Sequence, residues 1–215
     1  MTNFQWRPAV ESDRPFIAWM DELTETFGDE SQPLPADYAQ TRLRYVDQWD
    51  ARQGGVILVA TSLDDADYES LSADMTRVDP FEPGVSREDV FSAAAIKKLW
   101  DGRGDSSSSE NENELEVPVG AAWLRLFSHE DPGYGFVEDG IPEVAIALRP
   151  GAVGRRLSQP MIAGLIEHAR AMGYPGVSLA VHDANPRAAK AYVKAGFELV
   201  GRSSFPDHDV MVFRF

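Results

Sequence analysis

The sequence predicts a mixed α/β fold: a mixed central β-sheet flanked by helices, with an acidic insertion between the second and third strands. Three observations point there. Apolar residues recur every second residue in some stretches and every third or fourth in others, and the two kinds of stretch alternate along the chain. Residues 185–197 spell out a short helix with both of its ends marked. Residues 62–118 hold fifteen acids against five bases, a net −10, and close in Ser106-Ser107-Ser108-Ser109-Glu110-Asn111-Glu112-Asn113-Glu114, too polar to bury anything and expected to be partly disordered.

Taken in order, residues 4–7 alternate as a short strand, and residues 11–24 follow with Phe16, Ile17, Met20 and Leu23 at helical spacing. Pro33 and Pro35 break the chain, after which Tyr38, Leu43, Val46 and Trp49 space a second helix that ends before Gly54-Gly55. Val56-Ile57-Leu58-Val59-Ala60 reads as a buried strand. Inside the insertion, Ser86 with Asp89 resembles a capping box that opens a helix running to Trp100. Strand character resumes over 119–127, and Gly133-Tyr134-Gly135-Phe136 turns the chain toward a strand over 143–148, its expected antiparallel partner. A loop at 149–157, a helix to Ala171, a strand over 177–181, the marked helix, and strands near 197–200 and 210–213 complete the pattern. With 215 residues, 43% of them hydrophobic, residues 1–215 read as a single domain.

Composition excludes several functions. The chain has no cysteine, so disulfides, thiolate zinc sites and a cysteine nucleophile are ruled out. His129, His168, His182 and His208 show no close ligand spacing, and no metal is expected. The N-terminal residues lack the basic start and apolar run of a secretory signal, and no apolar span is long enough for a membrane; a soluble, cytoplasmic protein without a membrane partner is expected. A net charge of −15 argues against nucleic acid. Residues 149–202 are the exception, with eight bases against three acids, +5, a segment where a polyanion could sit.

The run Asn185-Pro186-Arg187-Ala188-Ala189-Lys190-Ala191-Tyr192-Val193-Lys194-Ala195-Gly196-Phe197 sets its own boundaries. Asn185 can cap the helix, Pro186 suits its first position, and Gly196 can take the left-handed conformation that stops it. The spacing N-x-x-A-x-x-x-Y-x-x-x-G-F closely resembles the closing motif of the GNAT superfamily of N-acetyltransferases, where the asparagine and tyrosine flank the thioester end of acetyl-CoA. The order of strands and helices also resembles the GNAT fold, over nearly the whole chain outside 62–118. The resemblance implies an acyl-CoA-dependent N-acetyltransferase with acetyl-CoA as co-substrate and a primary amine of a small molecule or peptide as acceptor. It places Tyr192 at the general-acid position and Asn185 and Ala188 beside the cofactor. A homodimer is left open.

The same family runs its fourth strand into a loop of pattern Q/R-x-x-G-x-G/A that binds the coenzyme A pyrophosphate at a helix start. There, unpaired N–H groups and the helix dipole favour an anion. Here the segment reads Ala147-Leu148-Arg149-Pro150-Gly151-Ala152-Val153-Gly154-Arg155-Arg156-Leu157-Ser158. Gapless alignment puts Val153 at the Q/R position, Arg156 at the first glycine and Ser158 at the last; Gly154, Arg155 and Leu157 complete the expected contact set, with Ala147 and Leu148 on the strand before it. The Arg155 and Arg156 guanidiniums could pair with phosphate oxygens in place of close backbone approach. A shifted reading, Arg149-x-x-Ala152-x-Gly154, fits the pattern but leaves the strand no room to reach the loop. Ser158 is the expected N-cap of the following helix, whose buried face is Met161, Ile162, Leu165, Ile166 and Ala169.

Acetyl transfer to an amine needs a neutral nucleophile, a polarised carbonyl and help for the departing thiolate. Glu143, at the start of the fourth strand, is the expected base, where some family members keep a glutamate. The oxyanion donors are expected among backbone N–H groups near Ala147, at an irregular end of that strand. Trp19, Glu22, Trp123, Tyr134 and Phe136 are the acceptor-side candidates. A rival reading is a non-catalytic binding or regulatory module whose pyrophosphate loop has degenerated at Val153, Arg156 and Ser158. A nucleotide module built on Gly151 and Gly154 is disfavoured because no G-x-x-x-x-G-K-[ST] run exists.

Overall fold

The computed structural model describes residues 2–73 and 116–215, together with Lys97. Seven strands form one sheet: β1 (Asn3–Pro8), β2 (Gly55–Ser62), β3 (Val117–Arg125), β4 (Glu143–Leu148), β5 (Gly176–His182), β6 (Glu198–Arg202) and β7 (His208–Arg214), in the order β1-β2-β3-β4-β5-β7-β6. Only β4 and β5 run parallel; the other neighbours are antiparallel, as expected for β3 and β4. The α-helices among the described residues are α1 (Arg14–Glu25), α2 (Tyr38–Arg42), α3 (Asp65–Ala73), α4 (Ser158–Ala171) and α5 (Pro186–Ala195).

Two apolar layers cover the sheet. On one face Phe16, Ile17, Met20 and Leu23 of α1 meet Ile57, Val59, Ala121 and Trp123. On the other, Met161, Ile162, Leu165 and Ala169 of α4 meet Val56, Leu58, Ala122 and Leu179. Alternate residues of β2 therefore feed opposite layers, which is why its sequence is an unbroken apolar run. The helix over 185–197 is built as its sequence dictates: Asn185 Oδ1 accepts the Ala188 N–H at 3.1 Å, Pro186 opens the helix, and Gly196 closes it at φ +98°.

Two expectations need correction. The second helix does not continue in α geometry, because residues Leu43–Asp47 are π-helical. Tyr45 is 5% exposed and Leu43 49% exposed: Tyr45 stands seven residues after Tyr38 and shares its inward face, whereas Leu43, five residues on, points away from it. The break in the fold is also narrower than 62–118. Ser62 still belongs to β2, Val117 already to β3, and the acidic stretch after β2 forms α3. The Ser86–Asp89 capping box and its helix lie outside the described residues, apart from Lys97.

Candidate active site

β4 and β5 share one rung, Glu143 opposite Ser178, and then part. The Ser178 N–H donates to the Pro142 carbonyl at 2.9 Å, and the Arg149 N–H to the Val119 carbonyl at 3.0 Å. Alternation along the strand thus aims the main-chain groups of Ile146 and Leu148 into the gap and those of Ala147 at β3. The β3–β4 register runs without a shift, so the irregularity expected near Ala147 is absent, and the amides that face the gap are its neighbours'.

Glu143 is 3% exposed and shares the face on which Ala145 and Ala147 pack toward α1. Its Oε1 accepts the Tyr45 hydroxyl at 2.9 Å, and the Tyr45 oxygen accepts the Tyr134 N–H at 2.9 Å. Its Oε2 is buried without a hydrogen-bond partner among the described residues. Gly133 is what allows this approach, since a Cβ there would stand 2.1 Å from Oε2. Burial pushes the carboxyl up to about 7, opposed by the Tyr45 hydroxyl, the Gly135 amide and the charges of Arg44 and Arg125. Burial, then the charge of Glu143, drives the Tyr45 phenol well above its ordinary range, so Tyr45 remains a donor.

Tyr192 packs against the opposite layer, with its ring 5.8 Å from that of Phe197. Its hydroxyl has no hydrogen-bond partner among the described residues, and burial raises its pKa, so it too stays protonated. Asn185 spends its side-chain oxygen on the cap, and Ala188 supplies the N–H it binds.

The loop after β4 departs from expectation in three ways. Ser158 is the first helical residue and not the cap; Leu157 holds the cap position, buried and without a side-chain cap bond. Arg155 is engaged: it forms an ion pair with Asp67 of α3, whose side chain is 3% exposed. Arg156 is exposed at φ +62°, a left-handed conformation that favours glycine. Val153 is exposed, and Gly154, at φ +89°, has open space around its Cα. α3 ties the loop further, with Ser70 Oγ donating to the Gly151 carbonyl at 2.9 Å and Arg149 Nη2 to the Leu71 carbonyl at 2.6 Å. A helix start without a side-chain cap, an open glycine and the exposed Arg156 guanidinium, unpaired among the described residues, fit a pyrophosphate; Pro160 removes one first-turn donor.

On the Glu143 side, Tyr134 stacks on Phe205 at 4.1 Å and tilts against His208 at 5.2 Å; His208 meets His182 at 4.8 Å, and His182 meets Phe27 at 5.2 Å. Of these, sequence reading singled out Tyr134 alone. The pairing of His182 with His208 comes from the β5–β7 register, which no spacing along the chain reveals. Trp19 and Trp123 belong to the core, their indole N–H groups bound to Glu30 and to the Tyr45 carbonyl, and Glu22 is also buried. Phe136 is half-buried. Among the described residues no three His, Asp or Glu side chains cluster as metal ligands, and no helix is long and apolar enough to cross a membrane.

The strand order, with two parallel central strands that share a single rung and a helix following the loop after β4, defines the class: an α/β protein with a sheet split at its centre. The profile of the acetyltransferase (GNAT) family matches residues 76–197, more than half of the chain, and the chain belongs to that family. Acetyl-CoA is the family's co-substrate. Similar solved structures include a GNAT superfamily phosphinothricin acetyltransferase from Sinorhizobium meliloti in complex with acetyl-CoA (TM-score 0.53, 16% identity, covering 99% of this chain and 88% of that one). The GNAT domain of S. lividans PAT (0.52, 13%, 99% and 90%) and a GNAT-family acetyltransferase from Listeria monocytogenes 4b F2365 (0.51, 15%, 99% and 95%) are also similar. At these identities the likeness speaks to the fold. No curated protein matches by sequence.

Proposed function

We propose that this chain transfers the acetyl group of acetyl-CoA to a primary amine of a small molecule or peptide, by direct attack within a ternary complex. What supports the reading is Glu143, buried at the single β4–β5 rung on the α1 face, together with Tyr192 packed in the opposite apolar layer. A thioester lying in the β4–β5 gap would be met by an acid–base group from each side. Acetyl-CoA supplies the activated acyl group and the thiolate leaving group. An alkylammonium of pKa ~10.4 costs about 4.6 kcal/mol to deprotonate at pH 7, and a carboxyl held near neutrality is a base suited to share that cost. Tyr192 donates a hydrogen bond to the developing thiolate; even an ordinary phenol is a weaker acid than a thiol by about 2 kcal/mol, and burial widens that difference. The Ile146 and Leu148 amides are the donors available to the carbonyl oxygen. Arg156 in glycine's conformation supports the gapless register, with the Ser158 and Gln159 amides and Arg156 receiving the pyrophosphate. Phe27, Tyr134, His182, Phe205 and His208 form the acceptor rim.

The test is cofactor binding. Acetyl-CoA at a hundred times its dissociation constant should add about 2.7 kcal/mol to stability, and a melting temperature unmoved by millimolar acetyl-CoA would remove the proposal. The second reading, a non-catalytic module with a degenerate loop, is favoured by the Arg155–Asp67 ion pair, which ties up a phosphate ligand. Under that reading, replacing Arg156 and Ser158 together with glycine should create coenzyme A affinity where wild type has little.

A further inference from the structure

Glu143 and Ser178 are the only paired residues of β4 and β5, and in a parallel pair facing residues project to the same side about 4.8 Å apart. Both are buried, at 3% and 0% exposure. Glu143 Oε2 and Ser178 Oγ are each shut off from solvent and each without a hydrogen-bond partner among the described residues. Buried polar atoms are rarely left so, and here two fall on one rung. The rest of the carboxylate is committed: Oε1 holds the Tyr45 hydroxyl, Tyr45 is fixed in turn by the Tyr134 N–H, and the Gly135 amide also favours the charged form without reaching hydrogen-bond geometry to Oε2. Gly133 and Phe127 wall off Oε2 from the loop side, since a Cβ on Gly133 would meet both. An acceptor therefore has no direct path to this oxygen. Two O–H···O contacts of about 2.8 Å span about 5.5 Å, which suits one water between facing residues of neighbouring strands.

We propose that Ser178 is a positioning residue for the base: Ser178 Oγ and Glu143 Oε2 together hold one water at the closed end of the β4–β5 gap, and that water relays the acceptor's proton. The inference rests on the reading of Glu143 as the base. In the step, the acceptor ammonium gives an N–H proton to the water as the water gives one of its own to Oε2. The freed nitrogen lone pair forms the N–C bond, the C–S bond breaks with its electron pair on sulfur, the thiolate takes the second N–H proton, and Glu143 later releases its proton through the water to solvent. Tyr45 holds the carboxylate so that Oε2, and not Oε1, is the receiving atom. The charged groups that act on Glu143 are Arg44, from the π-helical turn, and Arg125, from β3, and neither is altered by changing Ser178.

Two measurements on the full chain without ligands test this. A high-resolution crystal structure of wild type should show a water within hydrogen-bond distance of both oxygens. An empty rung, or a direct Ser178–Glu143 hydrogen bond, overturns the proposal. Infrared titration of the Glu143 carboxyl, its band identified by loss in Glu143→Gln, should shift upward by about one pH unit in Ser178→Ala, a tenfold gain in proton affinity, with Ser178→Thr restoring the wild-type position. An unmoved titration in a folded Ser178→Ala protein overturns it as well. Neither readout involves turnover, so it fails separately from the base assignment, which Glu143→Gln tests by acetyl transfer.

Discussion

Replacing Glu143 with glutamine keeps the shape of the side chain, and an amide oxygen can still accept from Tyr45, but no charge is left to bury. The carboxyl titrates at about 7 in the folded protein against an ordinary 4.5. At 1.36 kcal/mol per pH unit, that interval amounts to about 3 kcal/mol of stability. The sign follows from which state holds the proton. Below pH 4.5 the carboxyl is protonated whether the chain is folded or not, and the contribution is fully present. As pH rises through about 7 the unfolded chain ionises freely while the folded one must bury a charge, and the contribution is lost. Glu143→Gln escapes that loss. Between pH 5 and pH 8.5 its stability relative to wild type should grow by about 2–3 kcal/mol, about 5–10 °C in melting temperature for a chain of this length. Paired thermal melts across the range measure the difference, in which other buried acids such as Asp21 cancel. A difference between the two proteins that stays flat or shrinks with rising pH would refute the burial argument. The same variant should lose acetyl transfer, so a more stable and less active protein is the expected pairing.

Three further substitutions probe the rest of the site. Tyr192→Phe removes a hydroxyl with no partner among the described residues, so melting should barely move and acetyl-CoA affinity should hold while turnover falls at least tenfold; unchanged turnover removes Tyr192 from the chemistry. Arg156→Gly relieves a left-handed residue at φ +62°, so thermal melts should place it within about 0.5 kcal/mol of wild type, where glycine in ordinary backbone costs ~1 kcal/mol. Asp67→Asn frees the Arg155 guanidinium and should tighten coenzyme A binding by calorimetry about fivefold, worth about 1 kcal/mol; weaker binding would mean that Asp67 orients Arg155 instead of withholding it.

Much of the architecture could be read from the chain because local chemistry and tertiary packing agree there. Residues 185–197 carry a cap, a first-turn proline and a left-handed glycine, each effective without reference to the rest of the molecule. What escaped reading depends on partners distant in sequence. α3 was absorbed into the acidic insertion because its buried residues include a single large apolar side chain, Leu71, and its other anchors include polar ties to the loop at 149–157. Tyr45 stands seven residues after Tyr38 and shares its buried face, but its hydroxyl's partner, Glu143, is 98 residues away along the chain. Ser178 sits on what alternation marks as the polar side of β5, yet this sheet is covered on both faces, so that side is buried too. Glu143 was visible as a residue; its unpartnered oxygen required the fold.

The lone rung between β4 and β5 has a mechanical consequence. The centre of a seven-stranded sheet should hold the slowest-exchanging amides of a domain, because opening it breaks pairing on both sides at once. Here the sheet behaves as two panels, β1 to β4 and β5 with β7 and β6, fastened at one corner. The amides of Ile146, Leu148 and Ala180 along the parted edges should exchange with deuterium far faster than those of β2, and should slow when a ligand fills the seam.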